Sequence, residues 1–246
     1  MIIKSHSCAI MQPTYLPWLG YFDLIANVND FLFLDDVKFN KSSFHHQNKI
    51  LGSNGSILLS VPTHAKKGRM DSMIDDVTID NNKRWQIKHL KSIEQSYKKA
   101  QFYDEIFHYV EKILLSDIEK LSDLNIKLIK LFASILSLEV KFHISSQLSN
   151  LSKDRVQRLI DFCKMRNCNY YYSPNGSLDY LDTTENKALF SEAGIKVFFQ
   201  NFKIVQYPQK QESFVPYISI LDALMHCGPD GTKAILMKSH ETFEFK

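Results

Sequence analysis

Two adjacent acids, Asp35 and Asp36, close the apolar run FLFLDDV. Carboxylates delivered together by a buried strand can orient a histidine, bind a sugar hydroxyl or hold a divalent cation. The plainer alternative is that one caps the following turn while the other faces water. A second group surrounds the string QPTYLPW, where Pro13 and Pro17 restrict the backbone. Gln12, Tyr15, Trp18 and Tyr21 would hold their polar ends there with little conformational freedom, which suits recognition of a sugar or a nucleotide base. Gln12 is the stronger candidate, because a polar side chain ending a buried strand requires a partner. Trp18 and Tyr21 read equally well as a helix face packed into the core. Lys41 and Lys49 could grip a diphosphate, or be ordinary surface lysines. Cys8 could be the nucleophile of a covalent acyl intermediate, against the commoner role of a small buried residue in a strand. Asp75 and Asp76 lack such a strand behind them and read as surface.

The elements that must position these residues follow from periodicity and punctuation. Cys8 to Gln12 is a short apolar run and reads as a strand, and QPTYLPW as an ordered loop. Leu16, Leu19, Phe22, Ile25 and Ala26 recur at helical spacing, with Pro17 suited to a first turn, so a helix is predicted over Trp18 to Asn27. FLFLDDV follows as a buried strand, completing a βαβ unit. Ligands of such units sit beyond the carboxyl ends of the strands, where Gln12, Tyr15, Asp35 and Asp36 could converge. Asn54-Gly55 predicts a tight hairpin turn, with Lys49 and Ile50 in its first strand and SILLSVP in its second. HAKKGRM reads as a solvated basic loop, or as a loop over a phosphate-bearing ligand, and IDDVTI as a strand. Trp85, His89, Ile93 and Tyr97 share one helical face at four-residue steps. Two more helices are predicted over Tyr103 to Leu115 and Ile118 to Leu136, giving a helical subregion at about 82–137. Beyond it VKFHIS reads as a strand, DRVQRLIDFCKMRN as a helix begun by Asp154, and NYYYS and IKVFFQNF as strands. A helix from Ser219 to His226, a Gly-Pro-Asp-Gly turn and a final apolar segment close the chain, and ETFEFK has no evident role. The expected fold class is α/β, a mixed sheet containing a βαβ unit with a helical middle region, in a single domain over 1–246.

Composition excludes several classes. With 44% hydrophobic and 23% charged residues among 246, the chain should bury a substantial core rather than remain disordered. A net charge of +3 is too weak to indicate nucleic acid as a partner. The opening MIIKSHSCAIMQ reads as neither signal peptide nor anchor, and no apolar stretch is long enough to insert in a membrane, so a cytoplasmic protein is expected. Cys8, Cys163, Cys168 and Cys227 lie in unrelated contexts and should be reduced; CKMRNC lacks zinc spacing, so no metal site is expected. GxGxxG, Walker and HExxH motifs are absent, leaving the cofactor unknown.

The string IMQPTYLPWLGYFDLIANVNDFLFLDDVKFNKSSFHHQNKI resembles the opening of the WbqC-like proteins, in which QPxYxPWxGYF, LDDVxF and an aromatic-His-Asn stretch occur in this order. The resemblance continues through SILLSVP, RWQIKHLKSIEQSYKKA, RLIDFC, FQNFKIVQYPQ and FVPYISILDALMHCGP, and so covers nearly the whole chain. In FHHQNKI, His46, Gln47 and Lys49 replace the expected Asn-Arg-Asn-Arg continuation, and lysine does not reproduce arginine's two-pronged contact.

What the resemblance implies is a role in O-antigen or related surface-glycan synthesis, with transfer of an acyl or aminoacyl group, such as glycyl, to a nucleotide-linked amino sugar. The partners would be that sugar and an acyl or aminoacyl donor carrier. Amide formation needs a base to keep the amine neutral and donors to stabilise the oxyanion. His45 and His89 are the candidate bases, with Asp36 as third catalytic candidate. The plain alternatives are a solvated loop histidine and a core histidine bonded to backbone. Gln12, Tyr15, Asp35, Asn48, Lys49, Tyr207, Gln209 and Asp222 are the candidate substrate contacts. Ser219 and Asp222 could equally form only a helix cap. The opening strand, loop, helix and strand also resemble the first unit of nucleotidylyl transferases. The paired histidines of that group are missing, with Trp18 and Tyr21 in their vicinity, which disfavours adenylyl transfer. A non-catalytic sugar-nucleotide-binding or scaffolding protein of a glycan-assembly pathway is the competing class.

Overall fold

A computed structural model describes residues 6–40, 43–65 and 71–244. Lys41 and most of the HAKKGRM loop lie outside the described residues. Strand β1 (Ser7–Met11), helix α1 (Leu19–Ala26) and strand β2 (Asp30–Phe33) form the βαβ unit, with Cys8 paired in parallel to Asp30 and Met11 to Phe33. Strands β3 (Gln47–Gly52) and β4 (Gly55–Ser60) make the hairpin around Asn54, where Gly55 takes φ +116°. Two short strands, β5 (Thr63–His64) and β6 (Thr78–Ile79), pair antiparallel. Three helices follow, α2 (Trp85–Tyr97), α3 (Tyr103–Leu114) and α4 (Leu121–Ile135). The chain then runs through β7 (Lys141–Ile144), α5 (Arg155–Met165), β8 (Tyr170–Ser173), α6 (Leu178–Leu181), α7 (Thr184–Glu192), β9 (Lys196–Gln200), α8 (Ile220–Ser239) and β10 (Thr242–Glu244).

Six strands form the main sheet in the order β10-β9-β8-β1-β2-β7, all parallel except β10, which runs antiparallel to β9. The fold is therefore α/β with a mixed sheet. Its strands are apolar on both faces because helices cover both. Along β1, β2, β8 and β9, Cys8, Ile10, Leu32, Tyr171, Val197 and Phe199 pack with α5, α6 and α7. The intervening Ala9, Phe31, Phe33 and Tyr172 pack with α1 to α4 and α8. Asp154 caps α5 by accepting from the N–H groups of Val156 and Gln157.

Three expectations change. IDDVTI is extended only at Thr78–Ile79, because the Asp76 and Val77 amides turn back to the Met73 and Ile74 carbonyls as a single 3-10 turn. Gly-Pro-Asp-Gly does break the last helix, but only at Gly228, and the apolar segment beyond it is a second helical stretch. Gly228 at φ +68°, ψ −178° makes a kink, and the helix resumes with Pro229 in its first turn, where a missing N–H costs nothing. The tail ETFEFK supplies the edge strand β10.

Candidate functional site

From β1 the chain steps outward to β2 and β7, then returns to lay β8 and β9 on the other side of β1. The boundary of β1 and β8 is thus a topological switch point, and the crevice beyond the carboxyl ends of the strands there is the expected ligand position. A crevice of about 300 Å3 lies at that place. Met11 ends β1, Pro174 to Gly176 follow β8, Gln200 ends β9 and Asn201 and Phe202 follow it; Trp18 and Tyr21 close the side at the start of α1. Trp18 stacks edge-on with Phe202 and Tyr217, at 5.4 and 5.3 Å between ring centroids. The indole lies so close to Gly20 that a Cβ there would come within 2.2 Å of it. Tyr217 is 59% exposed and adopts φ +59°, an uncommon conformation for a residue with a side chain. Asn175, Gln200 and Asn201 line the same space, with the Gln200 amide donating to the Gly20 carbonyl and Asp23 and the Asn201 amide to Glu241, and no Asp, Glu, Lys or Arg lines it among the described residues. The lining suits a neutral ring that can stack and hydrogen bond. A shallower depression of about 440 Å3 beside α7 and β10 sits at the start of β9, the opposite end of the strand.

The sequence-derived candidates fall into separate groups. Gln12 lies next to the crevice: it follows Met11, and its carbonyl accepts from the Tyr21 hydroxyl at 3.0 Å. Tyr15, fully buried, meets His89 of α2, hydroxyl to Nδ1, at 2.8 Å. Burial pushes His89 down to about 4, with a hydrogen bond to the Ser60 backbone working the other way. His45 is likewise pushed down to about 4, by burial first and then by the neighbouring His46. Its Nδ1 accepts from the Asn40 N–H at 3.2 Å, and its carbonyl accepts from the Asn125 carboxamide at 2.7 Å. Asn125 also holds the Pro13 carbonyl, and Asn48 donates to that of Leu16 at 2.7 Å. These side chains clamp the proline loop. Lys49 contributes its carbonyl to the Ser219 N–H.

Asp35 and Asp36 engage another neighbourhood. Asp35 accepts from the Ser145 hydroxyl and from both the N–H and hydroxyl of Ser146, tying the end of β2 to the end of β7. Asp36 competes with Asp35 for the single proton of the Ser145 hydroxyl and pairs with Arg158 of α5 at 3.0 Å. Tyr207, Gln209 and Asp222 do come together: the Gln209 carboxamide donates to the Tyr207 hydroxyl at 3.2 Å and to the Asp222 carboxylate at 2.9 Å. Asp222 is fully buried, and burial pushes its carboxyl up. Ser219 caps α8 through the Leu221 N–H. Cys8 is fully buried beside Cys163, its thiol pushed up by burial, which removes the thiolate a nucleophile needs.

Sequence reasoning passed over Asn175, Gln200, Asn201 and Tyr217. Their meeting depends on strand order, although a Tyr directly after Pro216 and polar residues at two strand ends were available signals. Among the described residues no helix is long and apolar enough to cross a membrane.

No solved structure matches this chain. A relative from Mycobacterium tuberculosis (strain ATCC 25618 / H37Rv), the uncharacterized protein Rv1507c, is 32% identical over 229 residues, covering 90% of this chain and 94% of the relative. The model of the WbqC-like protein family matches residues 12–234. With the family pattern over residues 12–234 and a relative matched over 90% of this chain, the chain belongs to the WbqC-like protein family.

Proposed function

We propose that this protein is a cytoplasmic transferase of surface-polysaccharide synthesis that adds an acyl or aminoacyl group, glycyl for example, to a nucleotide-linked amino sugar. The observation that supports sugar binding is the uncharged, aromatic and carboxamide-bearing crevice at the switch point, while the acyl or aminoacyl transfer rests on the family resemblance. Aromatic faces pack against the C–H side of a sugar or against a base, and carboxamides bond hydroxyls with either polarity. In this reading Trp18 and Tyr217 stack on the ring, while Asn175 and Asn201 select it. Gln12 stands at the edge. His45 and His89, with their depressed basicity, are poorly matched to accept a proton near neutral pH, where a general base works best; we assign them to holding the proline loop. Asp35 and Asp36 fasten the chain after β2 to that after β7, and Tyr207, Gln209 and Asp222 secure the segment that carries Tyr217.

Thermal unfolding of the purified protein in the presence of nucleotide-linked amino sugars tests the reading, since a ligand of the folded state raises the midpoint by mass action. A rise that disappears in Trp18→Ala is expected. No rise with any such sugar, or the same rise in the variant, would reject it. A second reading, a non-catalytic sugar-nucleotide-binding protein, is favoured by the absence of His, Asp, Glu and Lys from the crevice lining among the described residues. Mass spectrometry of the sugar after incubation with an acyl or aminoacyl donor separates the two, because only the transferase adds mass.

A further inference from the structure

A second cavity, of about 220 Å3, opens between α1, the end of α4 and the second half of α8. Leu138, Leu236 and Met237 give it an apolar wall, and Lys233 and Glu139 bring one charge of each sign. His240 lines it beside Asp23. Asp23 is 1% exposed, and its carboxylate accepts from the Gln200 carboxamide at 2.6 Å, the Tyr172 hydroxyl at 2.7 Å and the Asn27 carboxamide at 3.0 Å. The fourth partner is His240 Nδ1, at 2.7 Å. The Asn27 carboxamide nitrogen also lies 3.1 Å from Nδ1, but its two hydrogens go to the Asp23 carbonyl and carboxylate, so Nδ1–H is given to the carboxylate and Nε2 of the neutral ring is left as an acceptor. That Nε2 is buried and has no hydrogen-bond partner among the described residues. Buried polar atoms are nearly always partnered, so an orphan acceptor on a ring that lines a cavity marks the place of a ligand's donor.

We propose that this cavity binds an aliphatic 2-amino or 2-hydroxy acid. Its side chain packs on Leu138, Leu236 and Met237, its carboxylate pairs with Lys233, and its amine or hydroxyl donates to His240 Nε2. Asp23 is the positioning residue. Its Gln200 partner also lines the switch-point crevice, so the two sites share a rigid polar network through α1. The inference does not depend on the crevice holding a sugar.

Calorimetric titration of the full chain with L-leucine, with 2-hydroxy-4-methylpentanoate and with 4-methylpentanoate, which lacks the donor, tests it. Saturable millimolar or tighter binding of at least one of the first two is expected, with the third about tenfold weaker or more. Which of the two binds decides between amine and hydroxyl. Met237 is 66% exposed, so Met237→Trp can obstruct the cavity without burying anything new, and it should abolish the binding while Trp18→Ala leaves it intact. Should neither acid bind at millimolar concentration, or should the donorless acid bind equally well, or should Met237→Trp bind normally, the proposal is overturned.

Discussion

At the scale of single residues, the buried ionisable groups make opposite demands on pH. His45 and His89 are held near 4, well below the ordinary imidazole value near 6.5, so the unfolded chain binds protons that the folded chain refuses. The stability this contributes is complete above about pH 6.5 and is lost as pH falls toward 4, by at most about 3 kcal/mol for each histidine. Urea midpoints measured across that interval should fall steeply, and less steeply in His89→Gln; an unchanged slope would mean that His89 is hydrated. Asp222 has the reverse sign. Its raised carboxyl contributes stability below the unfolded value and costs stability as pH rises through the folded one. Asp222→Asn keeps the shape and removes the charge, so its thermal midpoint at pH 7 should equal or exceed that of the parent. A clear drop in the midpoint would show that the bonds from Gln209, Tyr97 and Tyr207 repay the burial in full.

Two glycines decide the shape of whole elements. Gly228 combines φ +68° with a Cβ position 2.6 Å from the Phe102 ring, so alanine there must either straighten the kink or displace the ring. Gly228→Ala should lower stability by about 2 kcal/mol or more in chemical denaturation. Gly20→Ala drives a methyl into the Trp18 indole and should turn that ring out of the crevice, visible as a red-shifted tryptophan emission with little loss of stability. Emission identical to the parent would show that the indole never lay over Gly20 in solution. Elements were also where the sequence spoke most clearly. The proline loop, α1 and the four-residue stripe of α2 are set by local periodicity and by residues that forbid alternatives. Helix α7 gave no such signal: its buried face amounts to Phe190, too little to stand out from a polar surface helix. IDDVTI carries β-branched residues but meets the Val37 carbonyl through Ile74, and that tertiary bond outweighs propensity.

For the whole molecule, adjacency is the quantity the sequence does not encode locally. Asp35 and Asp36 follow the second strand, which ends at Phe33, and strand order places β7 and α5 beside them, where Ser145, Ser146 and Arg158 engage both carboxylates. Gln200 and Asn175 look ordinary in the string and become crevice walls because β8 and β9 return to the far side of β1. The apolar cluster on one face joins α1 to α4 and α8 without interruption, so we propose that 1–246 behaves as one cooperative domain. Calorimetric and van't Hoff enthalpies should then agree, and a ratio well away from one would point to independent units. The return crossing has a further consequence. The three strand ends that border the crevice are contributed by residues 11, 174 and 200, from opposite halves of the polypeptide. A fragment halted after β7 would possess three of the main sheet's six strands and lack two of the three strand ends around the crevice, which makes ligand capture a late event of synthesis and a natural readout for reassembling two separately expressed pieces.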